Sequence, residues 1–385
     1  MKRLRDILLL SALCLFLICF AYARLGFGTE EEISTETETE TEQFALMEPE
    51  TETEEELEMP TETEVEEIAL ESNRNPLTGE PMDESLVSQR PVSFMVGNTS
   101  DSMPQYGLAD ADVIYEAPAE GGLTRLMTIY QDYADLPTIM SSRSCRHYYC
   151  YFSNEFEAIY IHYGQAVYAT EMLKRFDDLN GLDGDLENVT FFRDRSRNAP
   201  HNAYVNGKSI VAGIQKRGYR TEHAETYENR YHFVPKEREL EDGETAVVVE
   251  PGYAINKPWF VYDETTGLYK RYQYKQAHVD GATGEAIEFK NIIFQVCDYS
   301  VFPDGKYLDV KTASYGGKGK YITNGKAIDI AWVKEVEDGV GRYYDMDGNE
   351  LLLNPGKTFV CIILNDEEDR IGIHATKEAF EASRN

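Results

Sequence analysis

Short runs of β-branched and aromatic residues recur from residue 92 onward. Val92–Val96, Val113–Ala117, Thr124–Tyr130 and Ala158–Ile161 each have the length and composition of a strand. Between and after them the apolar period changes to that of a helix. Arg146–Phe156 carries Tyr148, Tyr149, Phe152 and Phe156 at close to a 3.6-residue spacing, and Ala166–Phe176 gathers Val167, Met172, Leu173 and Phe176 on one side. Ser209 is placed to cap a third helix that ends at Arg217, with Gly218 as its stop. This first half, 73–218, reads as a mixed α/β domain.

Tyr219–Glu244 is polar and reads as a connector. Beyond it the period becomes two: Thr245–Val249, Trp259–Tyr262, Tyr269–Tyr274, Ile292–Val296, Tyr307–Val310, Ala327–Val333 and Lys357–Leu364 are strand candidates. Thr266-Gly267, Asp304-Gly305, Asn324-Gly325, Asp347-Gly348 and Pro355-Gly356 mark turns. The pattern predicts a mostly antiparallel β domain over 245–385, for an α+β chain whose two halves have separate cores. Gly316-Gly-Lys-Gly-Lys320 is basic and glycine-rich without the spacing of a phosphate loop, and reads as a turn between strands. Tyr253, Trp259, Tyr262, Tyr272, Tyr274 and Trp332 fall on a two-residue period that makes them core by default.

Ahead of the folded part the pattern is different. Lys2, Arg3 and Arg5 precede the apolar run Ile7–Phe20 and the small-residue end Ala21-Tyr22-Ala23, the layout of a signal peptide or N-terminal membrane anchor over 1–28. Positive charge stays inside, so the rest of the chain is expected on the extracytoplasmic face, anchored, or secreted if the signal is cleaved. Residues 29–72 hold 19 Glu and no Lys or Arg. Such a segment cannot bury enough apolar surface to order itself, and it reads as a disordered Thr/Glu-rich stalk, a spacer or a solubilising tail. The net charge of −32 argues against nucleic acid as a partner. Much of that charge belongs to the stalk; from Asn73 onward 33 basic residues face 49 acidic ones.

Several short motifs occur in a fixed order: Asn75-Pro-Leu-Thr-Gly79, Arg90-Pro-Val92, Ala111-Asp-Val-Ile-Tyr-Glu-Ala117, Gly121-Gly-Leu-Thr-Arg125, Arg143-Ser-Cys-Arg146, Ile161-His-Tyr-Gly164, Phe192-Arg-Asp-Arg-Ser-Arg197 and Ala199-Pro-His-Asn202. Asn324-Gly-Lys326 and Asn354-Pro-Gly-Lys357 follow in the second half. This series, over Asn75 to Leu364, resembles the YerB family of exported bacterial envelope proteins. The resemblance implies two consecutive domains of uncharacterised function and a tether to the membrane. It implies no established catalysis. Family members look lipid-anchored, whereas here Leu13 and Ile18 stand before Cys14 and Cys19, where lipid attachment wants a small residue.

The ionisable residues of the first half are the candidate binding site. Glu116 and Glu120 flank Pro118; Arg125 sits in a strand; Arg143 and Arg146 open a helix; and Arg193, Asp194, Arg197, His201 and Asn202 share one loop. Several Arg at one loop suit a carboxylate or phosphate held through two nitrogens. The competing reading pairs these Arg with Glu116, Glu120 and Asp194 in a structural ion network. His162, at a strand end, is a further candidate for this site, set against a reading as a hydrogen-bonded structural residue. No catalytic motif, metal-ligand spacing or cofactor fingerprint stands out. Function is expected to be binding or scaffolding at the cell envelope, toward a wall polymer or an envelope protein. The alternative is a wall-active hydrolase or transferase using the Glu, His and Arg residues named above. Outside the N-terminal segment, Cys145, Cys150, Cys297 and Cys361 allow three complete pairings, or remain free.

Overall fold

The computed structural model describes residues 73–384. The signal or anchor segment and the stalk lie outside the described residues. Among the described residues no helix is long and apolar enough to cross a membrane.

The fold is α+β, as the alternating patterns predict, but the expected separate cores are not found. One mixed sheet of eleven strands runs through both halves. Its path is Arg342–Tyr344, Lys326–Lys334, Tyr315–Thr323, Asn291–Cys297, Thr358–Leu364, Val113–Pro118, Thr124–Tyr130, Val92–Gly97, Ile159–His162 and Asp178–Asn180, with Glu244–Thr245 added beside Lys326–Lys334. The halves join where Val113–Pro118 pairs in parallel with Thr358–Leu364, from Val113 opposite Thr358 to Glu116 opposite Cys361. Thr358–Leu364 also pairs in parallel with Asn291–Cys297. The turn signals correctly mark chain reversals. They do not say which strand lies beside which, and the most central neighbours are some 240 residues apart in sequence.

Both faces of this sheet are covered, which explains why the central strands are apolar at every position rather than at alternate ones. On one face Phe94, Val96, Ile114, Leu126, Phe294 and Phe359 pack against Phe260, Tyr269 and Phe289 of a smaller sheet, and against Ile210 and Ile214. That smaller sheet is built from Gln276–Ala277, Leu268–Gln273, Trp259–Asp263, Val248–Glu250 and Gly372–His374, with Glu288–Phe289 beside Leu268–Gln273. On the other face Met95, Tyr115, Met127, Val360 and Ile362 pack against Tyr148, Tyr149 and Phe152 of the helix His147–Asn154, and against Tyr231 and Leu240 of the connector. The connector is therefore part of the core. Its Arg230 is buried against Glu155 at 2.5 Å, and Lys334 reaches the same carboxylate at 3.0 Å.

Two local expectations change. The helix Gly207–Arg217 is capped by Asn206, with Ser209 returning the bond from the third helical position; Gly218 ends it in the left-handed region. Gly316–Lys320 is not a turn but part of the strand Tyr315–Thr323. There, a Cβ on Gly319 would stand 2.2 Å from the Phe294 carbonyl oxygen, and one on Gly317 would stand 2.7 Å from that of Val296. The glycines let the strand press against its neighbour.

A shared sheet has a direct consequence for dissection. Expressed separately, 73–218 and 245–385 should each fail to give dispersed amide NMR spectra, because each exposes an unpaired central strand edge and half a core. Cooperative unfolding of either half alone would contradict this architecture.

Candidate functional site

Seven strands of the main sheet point the same way, Lys326–Lys334 among them through two successive antiparallel pairings. Val92–Gly97 and Val113–Pro118 both run antiparallel to Thr124–Tyr130, which lies between them. Ile159–His162, Asp178–Asn180, Thr358–Leu364 and Asn291–Cys297 follow the same direction through parallel pairings. Side chains beyond the carboxyl ends of such strands are where open α/β sheets gather ligand-binding groups. All the ionisable residues singled out in the first half lie at or near this end, but they divide between two environments.

On the face toward the smaller sheet, Glu116 is fully buried and its Oε2 accepts from Arg271 Nη2 at 2.6 Å, with both side chains at 0% exposure. Its Oε1 accepts from Thr124 Oγ1 at 2.6 Å, Asn256 Nδ2 at 2.7 Å and Asn98 Nδ2 at 2.9 Å. Arg271 Nη1 donates to His278 Nδ1 at 2.6 Å, and His278 Nε2 donates to Gln105 Oε1 at 2.6 Å. Burial, and then Arg271, push the His278 imidazole far below its ordinary value, so it is neutral with its proton on Nε2. Glu116 is thus not available to a ligand, nor does it pair with the arginines of its own half. It is half of an ion pair that joins the two halves.

The arginines meet on the opposite face, toward the helix His147–Asn154. Arg146 grips Glu120 through two nitrogens at 2.6 Å each and stacks on the ring of Tyr307. Arg125, opposite Gly97 and Ala117 in the sheet, donates to the Ser144 carbonyl. Arg143 lies across the end of Val92–Gly97, where a Cβ on Gly97 would come within 3.0 Å of its Cγ. These guanidinium groups feel one another. Burial, then Arg146 and Arg143, lower Arg125 to about 10, and burial with Arg146 also lowers Arg143. Burial, Arg143 and Arg197 hold the His201 imidazole below its usual value, against the pull of Asp101.

The loop residues lie near the same strand ends, with neighbours such as Tyr163 and Phe191 that pack with the smaller-sheet face. Arg193 donates to Asn202 Oδ1 at 2.8 Å and to the Tyr163 hydroxyl at 2.6 Å, with its guanidinium over the Tyr163 ring. Tyr163 is tied by its backbone to Arg143. Arg197 donates to the Pro104 carbonyl and lies over Tyr106, while His201 Nδ1 meets Ser102 Oγ at 3.1 Å. Asp194 turns back onto Ser196. Hence the anticipated network of paired charges is found only between Arg146 and Glu120. Among the described residues, Arg125, Arg143, Arg193 and Arg197 make no ion pair within 4.0 Å, and the bonds that three of them donate go to neutral oxygens. His162, also a candidate, is buried, bonded to Asp178 at 3.1 Å and to the Gly164 carbonyl at 2.9 Å. Among the described residues no group of acids, His and Cys could hold a metal.

Residues 77–220 match the N-terminal domain, and residues 247–360 the C-terminal domain, of the family described as Protein of unknown function (DUF3048). YerB of Bacillus subtilis (strain 168), described as a candidate lipoprotein, is 30% identical over 292 residues, covering 75% of this chain and 85% of that protein. The chain belongs to the YerB family. The crystal structure of YerB from Bacillus subtilis superposes with a TM-score of 0.68 at 29% identity, over 78% of this chain and 99% of that one.

Within the YerB-family frame, two motifs that carry the likeness, Gly121–Arg125 and Arg143–Arg146, supply the arginine face. The buried network drew on residues that no motif marked: Asn98, Gln105, Asn256, Arg271 and His278. One signal was present. Leu268–Gln273 alternates half-exposed and buried positions, and Tyr269, Arg271 and Gln273 all fall on the buried side. An arginine in core register calls for a buried anion.

Removing one partner of the buried pair strands the other. Arg271→Leu should therefore cost about 3–5 kcal/mol in denaturant unfolding, far more than Arg146→Leu, whose Glu120 partner keeps access to water. A pH effect follows from His278. Below the ordinary imidazole value of 6.5 the unfolded chain takes up a proton that the folded site refuses, so stability present above pH 6.5 is lost as the pH falls. In His278→Gln, unfolding measured between pH 7 and 5 should show a shallower decline than the wild type, by up to about 1.4 kcal/mol per pH unit.

Proposed function

We propose that this chain is an exported, membrane-tethered binding protein of the bacterial envelope, and that its arginine face holds an anionic group of a cell-wall polymer. The observation that carries this reading is the excess of unneutralised cations gathered near one end of the main sheet of an otherwise acidic molecule. Arg125, Arg143 and Arg146 share one carboxylate, and Arg193, Arg197 and His201 lie around them. Holding like charges together costs stability unless something outside the chain supplies the counter-charge. Guanidinium groups steered by carbonyls and aromatic rings are pre-aligned for a carboxylate or phosphate, which they recognise through paired hydrogen bonds. The basic start and apolar run before the stalk, and the description of the Bacillus subtilis relative as a candidate lipoprotein, support a location outside the cytoplasmic membrane.

An enzyme built on Glu116 and Glu120 gains little support. Each carboxylate is already engaged by an arginine, and the two belong to opposite faces of the sheet.

Arg143 is the discriminating residue because it has no acidic partner to strand. Arg143→Gln should leave the melting temperature unchanged or slightly raised, since repulsion with Arg125 and Arg146 is relieved. It should also weaken retention of the full chain on purified cell wall roughly tenfold, the loss of one charge-assisted hydrogen bond. Retention that is unaffected by Arg143→Gln and Arg193→Gln together would overturn the reading.

A further inference from the structure

Cys145 stands two residues before the helix His147–Asn154 and Cys150 lies within its first turns; both are buried and both are free thiols. Their sulfurs are 3.4 Å apart. A disulfide requires about 2.05 Å, so a contraction of about 1.4 Å, spread over two side chains and a loop that precedes a helix, brings them to bonding distance. The other two cysteines are excluded by the fold. Cys361 packs on the far face of the main sheet, whereas Cys145, Cys150 and Cys297 share the near one. Cys297 is engaged by the Gln295 side chain at 3.6 Å.

The pair is also chemically asymmetric. Burial alone would push the Cys145 thiol up, but the hydrogen bond from Cys150 and the nearby His162 draw it down, whereas burial and Cys145 push Cys150 up. This asymmetry belongs to the packed state.

We propose that Cys145 and Cys150 form a covalent modification site, closing as an intramolecular disulfide when the chain folds in the presence of a disulfide oxidant. Cys145 loses its proton to solvent and its thiolate attacks one sulfur of the oxidant. A mixed disulfide forms and one oxidant thiolate leaves. Cys150, deprotonated in turn, attacks Cys145 Sγ and displaces the second oxidant thiolate. The chain loses two thiol hydrogens and the oxidant is reduced to two thiols. Burial of both sulfurs confines exchange to chains that have not finished packing this helix, and afterwards shields the bond from reductants.

The bond has a structural effect on the arginine face. It staples the segment Ser144–Arg146, which supplies the carbonyl that Arg125 donates to and the guanidinium that grips Glu120, onto the helix behind it. The proposal in cells rests on export into an oxidising compartment, so the test has two arms. Full chain recovered from cells, and full chain refolded in vitro with oxidised glutathione, are each denatured without reductant in the presence of iodoacetamide and mapped by mass spectrometry. The expected result in both arms is a linked pair of peptides carrying Cys145 and Cys150, lighter than the reduced pair by two hydrogens, about 2 Da, with Cys297 and Cys361 alkylated. In Cys150→Ser, Cys145 should become fully alkylated. Linkage in the refolded chain but not in the cellular one would overturn the export premise. Alkylation of both cysteines in the refolded chain, or linkage of either to Cys297 or Cys361, would overturn the site itself.

Discussion

Glu116 and Arg271 carry full charges where water does not reach, and that is tolerable only if each is the other's partner. Placing ions in a low-dielectric interior costs several kcal/mol apiece, and here the cost is offset by hydrogen bonds to both carboxylate oxygens. One carboxylate oxygen faces a guanidinium and the other faces two amides and a hydroxyl. The donors come from both halves, Asn98 and Thr124 from the first, Asn256 and Arg271 from the second. Neither half therefore has a complete interior without the other. The Tyr253 hydroxyl adds a backbone stitch, bonded both to the Glu116 and to the Ile362 carbonyl oxygens. Buried ion pairs often contribute little net stability, but they reject wrong registers strongly. Sliding Val113–Pro118 by one residue would turn Glu116 to the other face and leave Arg271 with no anion.

Across the same sheet the electrostatic logic is inverted. Where the buried pair is neutralised within the chain, the arginine face, among the described residues, leaves every one of its arginines except Arg146 without a carboxylate, braced by carbonyls and tyrosine rings. A rigid, two-sided framework is what makes that tolerable: the strand ends, the helix His147–Asn154 and the 192–202 loop hold the guanidinium groups in place although they repel one another. Strain of this sort at a surface is the usual mark of a site shaped for something other than stability.

Much of the fold was legible along the chain. Strand positions and two of the three anticipated helices follow from period, and the turn dipeptides fall at reversals. What local pattern could not carry was which strands meet. Thr358–Leu364 looks like any other apolar strand until it is found between Val113–Pro118 and Asn291–Cys297, and that placement turns two expected cores into one. The Gly316–Lys320 misreading has the same origin, since glycine signals a turn by its flexibility and a close backbone approach by its lack of a Cβ. Only the neighbouring Phe294 and Val296 carbonyls distinguish the two. At the site, the arginines were visible as a local cluster. Glu116 was assigned to them because it is near in sequence, when its partner lies 155 residues away.

The position of Thr358–Leu364 also bears on how the molecule comes into being. A chain made or translocated from its N-terminus delivers Val113–Pro118 early, yet the strand that covers its open edge arrives only some 240 residues later. In the interval the first half presents a bare apolar strand edge and a carboxylate that has not met its arginine. The last ladder to form is thus among the most interior, and completion waits for almost the whole chain. Such non-local pairing slows folding and prolongs exposure of a sticky edge. A protein of this topology depends on whatever shields that edge during the delay, and truncation near the C-terminus removes the keystone rather than a tail.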